Sequence, residues 1–273
     1  MSTSHDLPST PFLTADWRYL ALLNYVIDPE TLQPLVPAGT ELDDWQGRTF
    51  VSVVGFLFLD TRVRGIPIPF HRNFEEVNLR FYVRRRAPEG WRRAVVFVRE
   101  LVPRAAIAFT ARIVYGEPYL SVPMTHHIEF ASGHGGEPTR VMYAWRFNGR
   151  ENRIDLRVQG DARALEPGSQ EEFIAEHYWG YTRGRDGATR EYRVEHAPWR
   201  VWTGADAHLD CDAAALYGNQ FVDCLSSTPA SAYLADGSPV TVFQRTAASA
   251  AGLKACTTSD DYFVQQGVGS QPV

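Results

Sequence analysis

The residues most able to do chemistry in this chain fall together on one short stretch, FEEVNLRFYV at positions 74–83. Read as a β-strand, its strict alternation puts Glu76, Asn78, Arg80 and Tyr82 on one face and Val77, Leu79, Phe81 and Val83 on the other. The apolar face reads as core. The other face carries an acid, an amide, a guanidinium and a phenol in line, each roughly 6–7 Å from the next. A carboxylate in such a row, once desolvated, has a raised pKa and can act as general base or acid. A guanidinium beside it can clamp an anionic ligand. The competing structural reading is an ion pair between Glu76 and Arg80 on one strand face, with Asn78 and Tyr82 meeting the hydrogen-bond needs of a buried sheet.

The surrounding chain reads as the sheet that must hold this strand. Residues 17–26 (WRYLALLNYV) form an apolar segment, strand or short helix, and a short helix follows from Pro29 to about Leu35, with Asp28 as its N-cap. Residues 48–59 (RTFVSVVGFLFL) read as a central strand. Residues 62–70, with Gly65, Pro67 and Pro69, read as a loop, and 84–86 with the following APEG as the turn after the opening strand. Residues 94–100 (AVVFVRE) are its hairpin partner. Residues 103–109 suggest a helical turn, and 112–115 lead into Gly116-Glu117-Pro118-Tyr119. From Thr125 the pattern becomes short alternating strands, with Asn148–Gly149 as a hairpin turn. Residues 160–170 read as a polar connection, 171–179 (EEFIAEHYW) as a helix, and EYRVEH, WRVW, AAALYGNQF and SAYLADGSPVTVFQ as mostly strand.

Composition narrows the chemistry. The chain of 273 residues, 44% hydrophobic, can bury a sizeable core, and its net charge of −5 gives no general attraction to nucleic acid or anionic membrane. Lys254 is the sole lysine, so no Schiff-base amine exists in residues 1–253. Three cysteines without CxxC spacing suggest a reducing compartment, and with no secretory leader and no long apolar run the expectation is a cytoplasmic protein. His126 and His127 are adjacent, so on a strand they point to opposite faces, and no metal is expected. His177, Tyr178 and Trp179 read as packing residues of their helix. His71 and His196 suit either role. Ser231 and Ser238 lie in no GxSxG elbow, and nucleotide-binding glycine motifs are absent.

The segments LVPAGTELDDWQGRTFVSVVGF, FEEVNLRFYV, VVFVRELVPR, YGEPYLSVPM, EHYWGY, EYRVEHAPW and LADGSPVTV carry a resemblance. Between about Trp17 and Val242 the chain resembles the YqjF-like family of the acetoacetate decarboxylase-like superfamily. The resemblance implies a mainly β protein with a few short helices, whose large curved antiparallel sheet closes into a cone or barrel around a central cavity. It also implies one domain over 14–244; residues 1–13, polar and proline-containing, read as a loose arm, and 245–273, poor in large apolar residues, as a disordered or weakly packed tail. The decarboxylases of the superfamily use a lysine imine set in a short proline-containing turn, a glutamate on an earlier strand and an arginine near the N-terminus. Residue by residue, the lysine position falls on Tyr119, the glutamate on Glu76 (on Glu75 if the register slips by one) and the arginine on Arg18. A phenol forms no imine, so amine-type decarboxylation is excluded.

The expected site therefore comprises Glu76 and Tyr119 as catalytic groups, Tyr119 donating to a developing oxyanion. Arg18, Asn78, Arg80, Tyr82 and Glu117 are the expected substrate-binding residues, with no cofactor. The expected partner is a small-molecule ligand, an organic acid or apolar metabolite, with no nucleic acid and no membrane; self-association into a homo-oligomer is compatible with this. Two functions fit: a lysine-independent enzyme doing acid/base chemistry on a small keto or hydroxy acid, and a non-catalytic metabolite-binding or sensing protein.

Overall fold

The computed structural model describes residues 10–67, 69–103, 118–132, 136–184 and 186–248. Glu117, the helical turn expected after Pro103 and nearly all of the expected tail lie outside these residues. Strands dominate, as expected. They are β1 (Pro11–Val26), β2 (Glu41–Leu42), β3 (Phe50–Val63), β4 (Ile66–Pro67), β5 (Phe74–Ala87), β6 (Gly90–Val102), β7 (Tyr119–Ser121) and β8 (Met124–Phe130). There follow β9 (Pro138–Phe147), β10 (Arg150–Ala164), β11 (Trp179–Arg183), β12 (Thr189–His196), β13 (Arg200–Asp210), β14 (Ser231–Phe243) and β15 (Thr246–Ala247).

Seven strands close on themselves in the order β12-β11-β6-β5-β3-β1-β14, the last joining the first through Val194–Val242 and His196–Val240 pairing. Closure removes the free edges that an open sheet would expose. From β14 the sheet continues outward through β13, β10, β9 and β8. This extension shares one apolar core with the outer face of the barrel wall. Val77, Leu79, Phe81 and Val83 from β5 lie there with Val141, Tyr143, Trp145, Ile154 and Leu156. Each such side chain, taken from water, contributes about 1.5–3 kcal/mol. Gly55 in β3 permits the contact, since a Cβ there would stand 2.6 Å from the Tyr143 ring. The second core lies inside the barrel, where Leu20, Leu22, Val54, Phe56, Phe58 and Tyr82 meet. Both faces of β5 are therefore buried, and its polar row faces inward.

Short helices decorate this frame. In α1 (Pro29–Leu32) the Asp28 carboxylate accepts from the Glu30 amide at 2.9 Å, the cap expected from sequence. Asn148 and Gly149 take φ of 48° and 79°, as a two-residue hairpin requires.

Several local expectations give way to the structure. The chain at 62–70 is not all loop: β3 runs on to Val63 and pairs with β4 across the Arg64–Gly65 turn. Residues 84–86 are strand, not turn, because alternation continues through the arginines. Arg85, on the face of Phe81 and Val83, is buried against a Glu191 carboxylate that Arg92 also holds, while Arg84 and Arg86, on the opposite face, stack on Trp91. β10 extends to Ala164 after an irregularity that includes Gly160 at φ 74°, so the polar connection is shorter than expected. The helix expected over 171–179 is α2 (Gln170–Ala175), and Trp179 already belongs to β11. AAALYGNQF is helical rather than strand: Asp212 caps α3 (Ala213–Tyr217), alanines favour it, and Gly218 at φ 110° ends it. β1 starts at Pro11, within the stretch expected as an arm.

Candidate functional site

The barrel surrounds a partly open cavity of about 90 Å³, room for several waters or part of a small organic molecule that extends toward its mouth. Glu76, Asn78 and Arg80 line it from β5, Glu100 from β6 and Tyr119 from β7; His177 and His196 close another side. Most of the remaining wall is apolar or aromatic, including Trp17, Phe56 and Trp199.

Strand pairing assembles the polar end. Asn78 stands opposite Glu100 across the antiparallel β5–β6 pair, and Glu100 pairs with Tyr119 across the parallel β6–β7 pair. Adjacent strands lie about 4.8 Å apart, so the three strands bring these side chains within contact range. Glu76 is 3% exposed and Asn78 is 1% exposed. Asn78 Nδ2 donates to Glu76 Oε1 at 3.1 Å, and the Tyr119 hydroxyl donates to Glu76 Oε2 at 3.4 Å. The carboxylate is thus gripped at both oxygens by neutral donors. Asn78 Oδ1 receives no hydrogen bond among the described residues, so it remains an acceptor for a ligand or water.

Arg80 turns the other way. Its Nη2 donates to the Ile174 carbonyl at 3.3 Å and its Nε to the Tyr82 hydroxyl at 3.4 Å, and among the described residues it makes no ion pair. The Glu76–Arg80 pairing considered from sequence is replaced by a buried chain of hydrogen bonds. Ser52 Oγ stands 2.6 Å from the Tyr82 hydroxyl and donates to Asn24 Oδ1 at 2.6 Å, and Asn24 Nδ2 donates to Ser231 Oγ at 3.0 Å. Ser52 has one proton and spends it on Asn24, so the Tyr82 hydroxyl donates to Ser52 and accepts from Arg80. Tyr82 itself is fully buried and does not line the cavity.

The two imidazoles are held neutral. Burial drives the pKa of His177 well below its ordinary 6.5, and the nearby Arg93 and Arg80 guanidiniums push it the same way. Burial also lowers His196, against the opposing pull of the Ala197 carbonyl. His196 Nδ1 donates to that carbonyl at 3.0 Å, and its ring stacks between Trp199 and Tyr178 at 4.4 and 4.8 Å.

Of the residues expected from sequence, Glu76, Asn78, Arg80 and Tyr119 meet at the cavity. Arg18 does not. On β1 its neighbour Trp17 takes the inward place, so Arg18 faces out, half exposed, beside Asp16 at 3.8 Å and the Gly237 carbonyl at 3.5 Å. Tyr82 lies behind the wall as a supporting group. His126, by contrast, binds Glu75 at 2.7 Å on the outside, which settles the register in favour of Glu76 as the inward carboxylate. No cluster of metal-ligating side chains occurs among the described residues.

Glu100, 2% exposed, is absent from the sequence expectation, and the reason is a β-bulge. Strict alternation groups Glu100 with Val98 and Val96, on the apolar outer face. The β5–β6 register shifts between Leu79–Arg99 and Arg80–Phe97, so Glu100 and Phe97 both face inward. His177 is likewise unannounced, because only the position of α2 turns it toward the cavity.

A closed barrel with an internal cavity of this kind is the acetoacetate decarboxylase-like fold. The enduracididine biosynthesis enzyme MppR, complexed with the condensation product of pyruvate and imidazole 4-carboxaldehyde, superposes at a TM-score of 0.61 with 13% identity, over 90% of this chain and 92% of that one. Acetoacetate decarboxylase from Legionella pneumophila matches at 0.59 and 13%, over 91% and 92%. An acetoacetate decarboxylase-like enzyme from Sphingomonas wittichii RW1 matches at 0.58 and 16%, over 91% and 97%. At these identities the likeness establishes the fold alone. The chain belongs to the DUF2071 family of uncharacterized conserved proteins, which matches residues 14–239. It is 26% identical over 189 residues to the uncharacterized protein YqjF of Bacillus subtilis, covering 67% of this chain and 72% of that protein. The chain is thus a DUF2071 protein, similar to YqjF, that has the acetoacetate decarboxylase-like fold.

Proposed function

We propose that the barrel binds a small organic acid and performs acid/base chemistry on it with Glu76 as the working group, without an imine. The observation that carries this reading is the meeting of Glu76 and the Tyr119 phenol at 3.4 Å inside the cavity. Glu76 exchanges a proton with a small keto or hydroxy acid, and Tyr119, at the lysine position of the decarboxylases, donates a hydrogen bond to the oxygen on which charge develops. Arg80 supplies positive charge on the same wall. The functional unit is a single domain over residues 14–244, acting in the cytoplasm. That MppR is seen with pyruvate makes 2-keto acids the first compounds to try.

A non-catalytic reading, metabolite binding or sensing, is favoured by one fact: the amine that does the superfamily's chemistry is missing from residues 1–253. Thermal-shift screening against keto, hydroxy and aromatic acids, followed by proton NMR of the hits, separates the two. A ligand at a hundredfold excess over its dissociation constant stabilises the fold by about 2.7 kcal/mol. Under the enzymatic reading a hit is turned over, and Glu76→Gln and Tyr119→Phe abolish turnover. Binding without turnover, weakened by both variants, supports sensing. Hits that neither variant affects remove both residues from the site.

A further inference from the structure

We propose that His177 is a second anchor for the ligand, at the far end of the cavity from Glu76 and Tyr119, and that it takes a hydroxyl group at the tail of an elongated molecule. The inference rests on the reading of the Glu76–Tyr119 end as the place of the acidic head.

His177 is 7% exposed and lines the cavity, and among the described residues neither ring nitrogen makes a hydrogen bond of normal geometry, the Ile174 carbonyl being only a weak polar neighbour. Its place is fixed by packing instead: the ring lies 4.7 Å from that of Tyr82 and edge-on to Phe173 at 5.8 Å. Polar atoms so poorly met on one buried ring are costly, and native interiors meet such groups with a partner. The cavity is where that partner can come from.

Position sets the shape of the ligand. Tyr82, against which His177 packs, and Glu76 share one face of β5, about 20 Å apart along an extended strand, with Arg80 at about 13 Å. Curvature and side-chain reach shorten the gap but do not close it for a three-carbon acid. Between the two ends the wall offers Trp17, Leu20, Phe56 and Trp199, a surface for an apolar, ring-sized body.

Charge sets the tail. Burial and the guanidiniums of Arg80 and Arg93 keep this imidazole neutral, so it presents one donor and one acceptor. A hydroxyl, which also donates and accepts, satisfies both needs. A carboxylate or an ammonium satisfies only one. The ligand class is thus a keto or hydroxy acid with an aromatic or similar body and a terminal hydroxyl.

The probes are phenylpyruvate and 4-hydroxyphenylpyruvate, which differ by that hydroxyl alone. Calorimetric titration of the wild type is expected to give at least roughly tenfold tighter binding of the hydroxylated acid, since a site built around a hydroxyl discriminates against its absence. His177→Phe brings the ratio to about one with phenylpyruvate binding retained, whereas His177→Gln, which keeps a donor and an acceptor, preserves most of the preference. Spectra of protein labelled with 15N-histidine read the contact without mutation: the His177 ring nitrogens shift with 4-hydroxyphenylpyruvate and not with phenylpyruvate. Equal affinities in the wild type, or a preference that survives His177→Phe, overturn the inference and leave the keto-acid site standing. Failure of both acids to bind removes the keto-acid reading and the anchor with it.

Discussion

Removing the Tyr82 hydroxyl tests whether the buried polar chain works as a unit. Counting lost partners gives the size of the effect. In Tyr82→Phe, Arg80 Nε loses its acceptor, while Ser52 Oγ keeps its bond to Asn24. In Ser52→Ala, both the Tyr82 hydroxyl and Asn24 Oδ1 are stranded, in side chains that are fully buried. Each stranded buried group costs about 1–3 kcal/mol, so the single changes cost roughly 1–3 and 2–6 kcal/mol. The double variant strands only Arg80 Nε and Asn24 Oδ1, because the phenol oxygen is gone. It is therefore less destabilised than the sum of the singles by about one stranded group, a coupling of about 1–3 kcal/mol. Urea unfolding of the wild type and three variants, with equal m-values as the check on two-state behaviour, measures this. Additivity within about 0.5 kcal/mol refutes the chain and, with it, the account of how Arg80 is held on the cavity wall.

Two further outcomes follow from the same geometry. Gly180 on β11 lies under the Tyr192 ring, with which a Cβ would collide; Gly180→Ala forces that cavity-lining ring to move and lowers stability by about 1–3 kcal/mol, read as a fall in the urea midpoint. The folded-state pKa of His177 is depressed, so below its ordinary 6.5 the unfolded chain takes up a proton that the folded protein refuses, and stability falls as pH drops. The loss per unit pH approaches about 1.4 kcal/mol for this group, and His177→Gln flattens the stability profile between pH 7 and 5; an unchanged profile shows that His177 titrates normally in the fold.

The sequence alone determined the strand at the centre of this protein, because period-two alternation over 74–83 needs only the pleat of a single strand to be true. It determined the Asp28 cap and the Asn148–Gly149 turn for a similar reason, since both are satisfied within a few residues. The lack of a lysine up to position 253 is likewise a fact of sequence, and it excludes a lysine imine within those residues before any coordinates are known. What tertiary structure decided depends on partners far along the chain. The bulge in β6 is a mismatch of register against β5, and it turns Glu100 from the apolar face to the cavity. Placing Trp17 inside put Arg18 outside. Docking α2 over Tyr82 brought a histidine that reads as a helix-packing residue to the wall of the cavity. A one-residue slip in a strand exchanges its faces, and no local pattern reports where the slip will fall. The polar face of 74–83 was legible from its own residues; the company it keeps was set by the closure of the barrel.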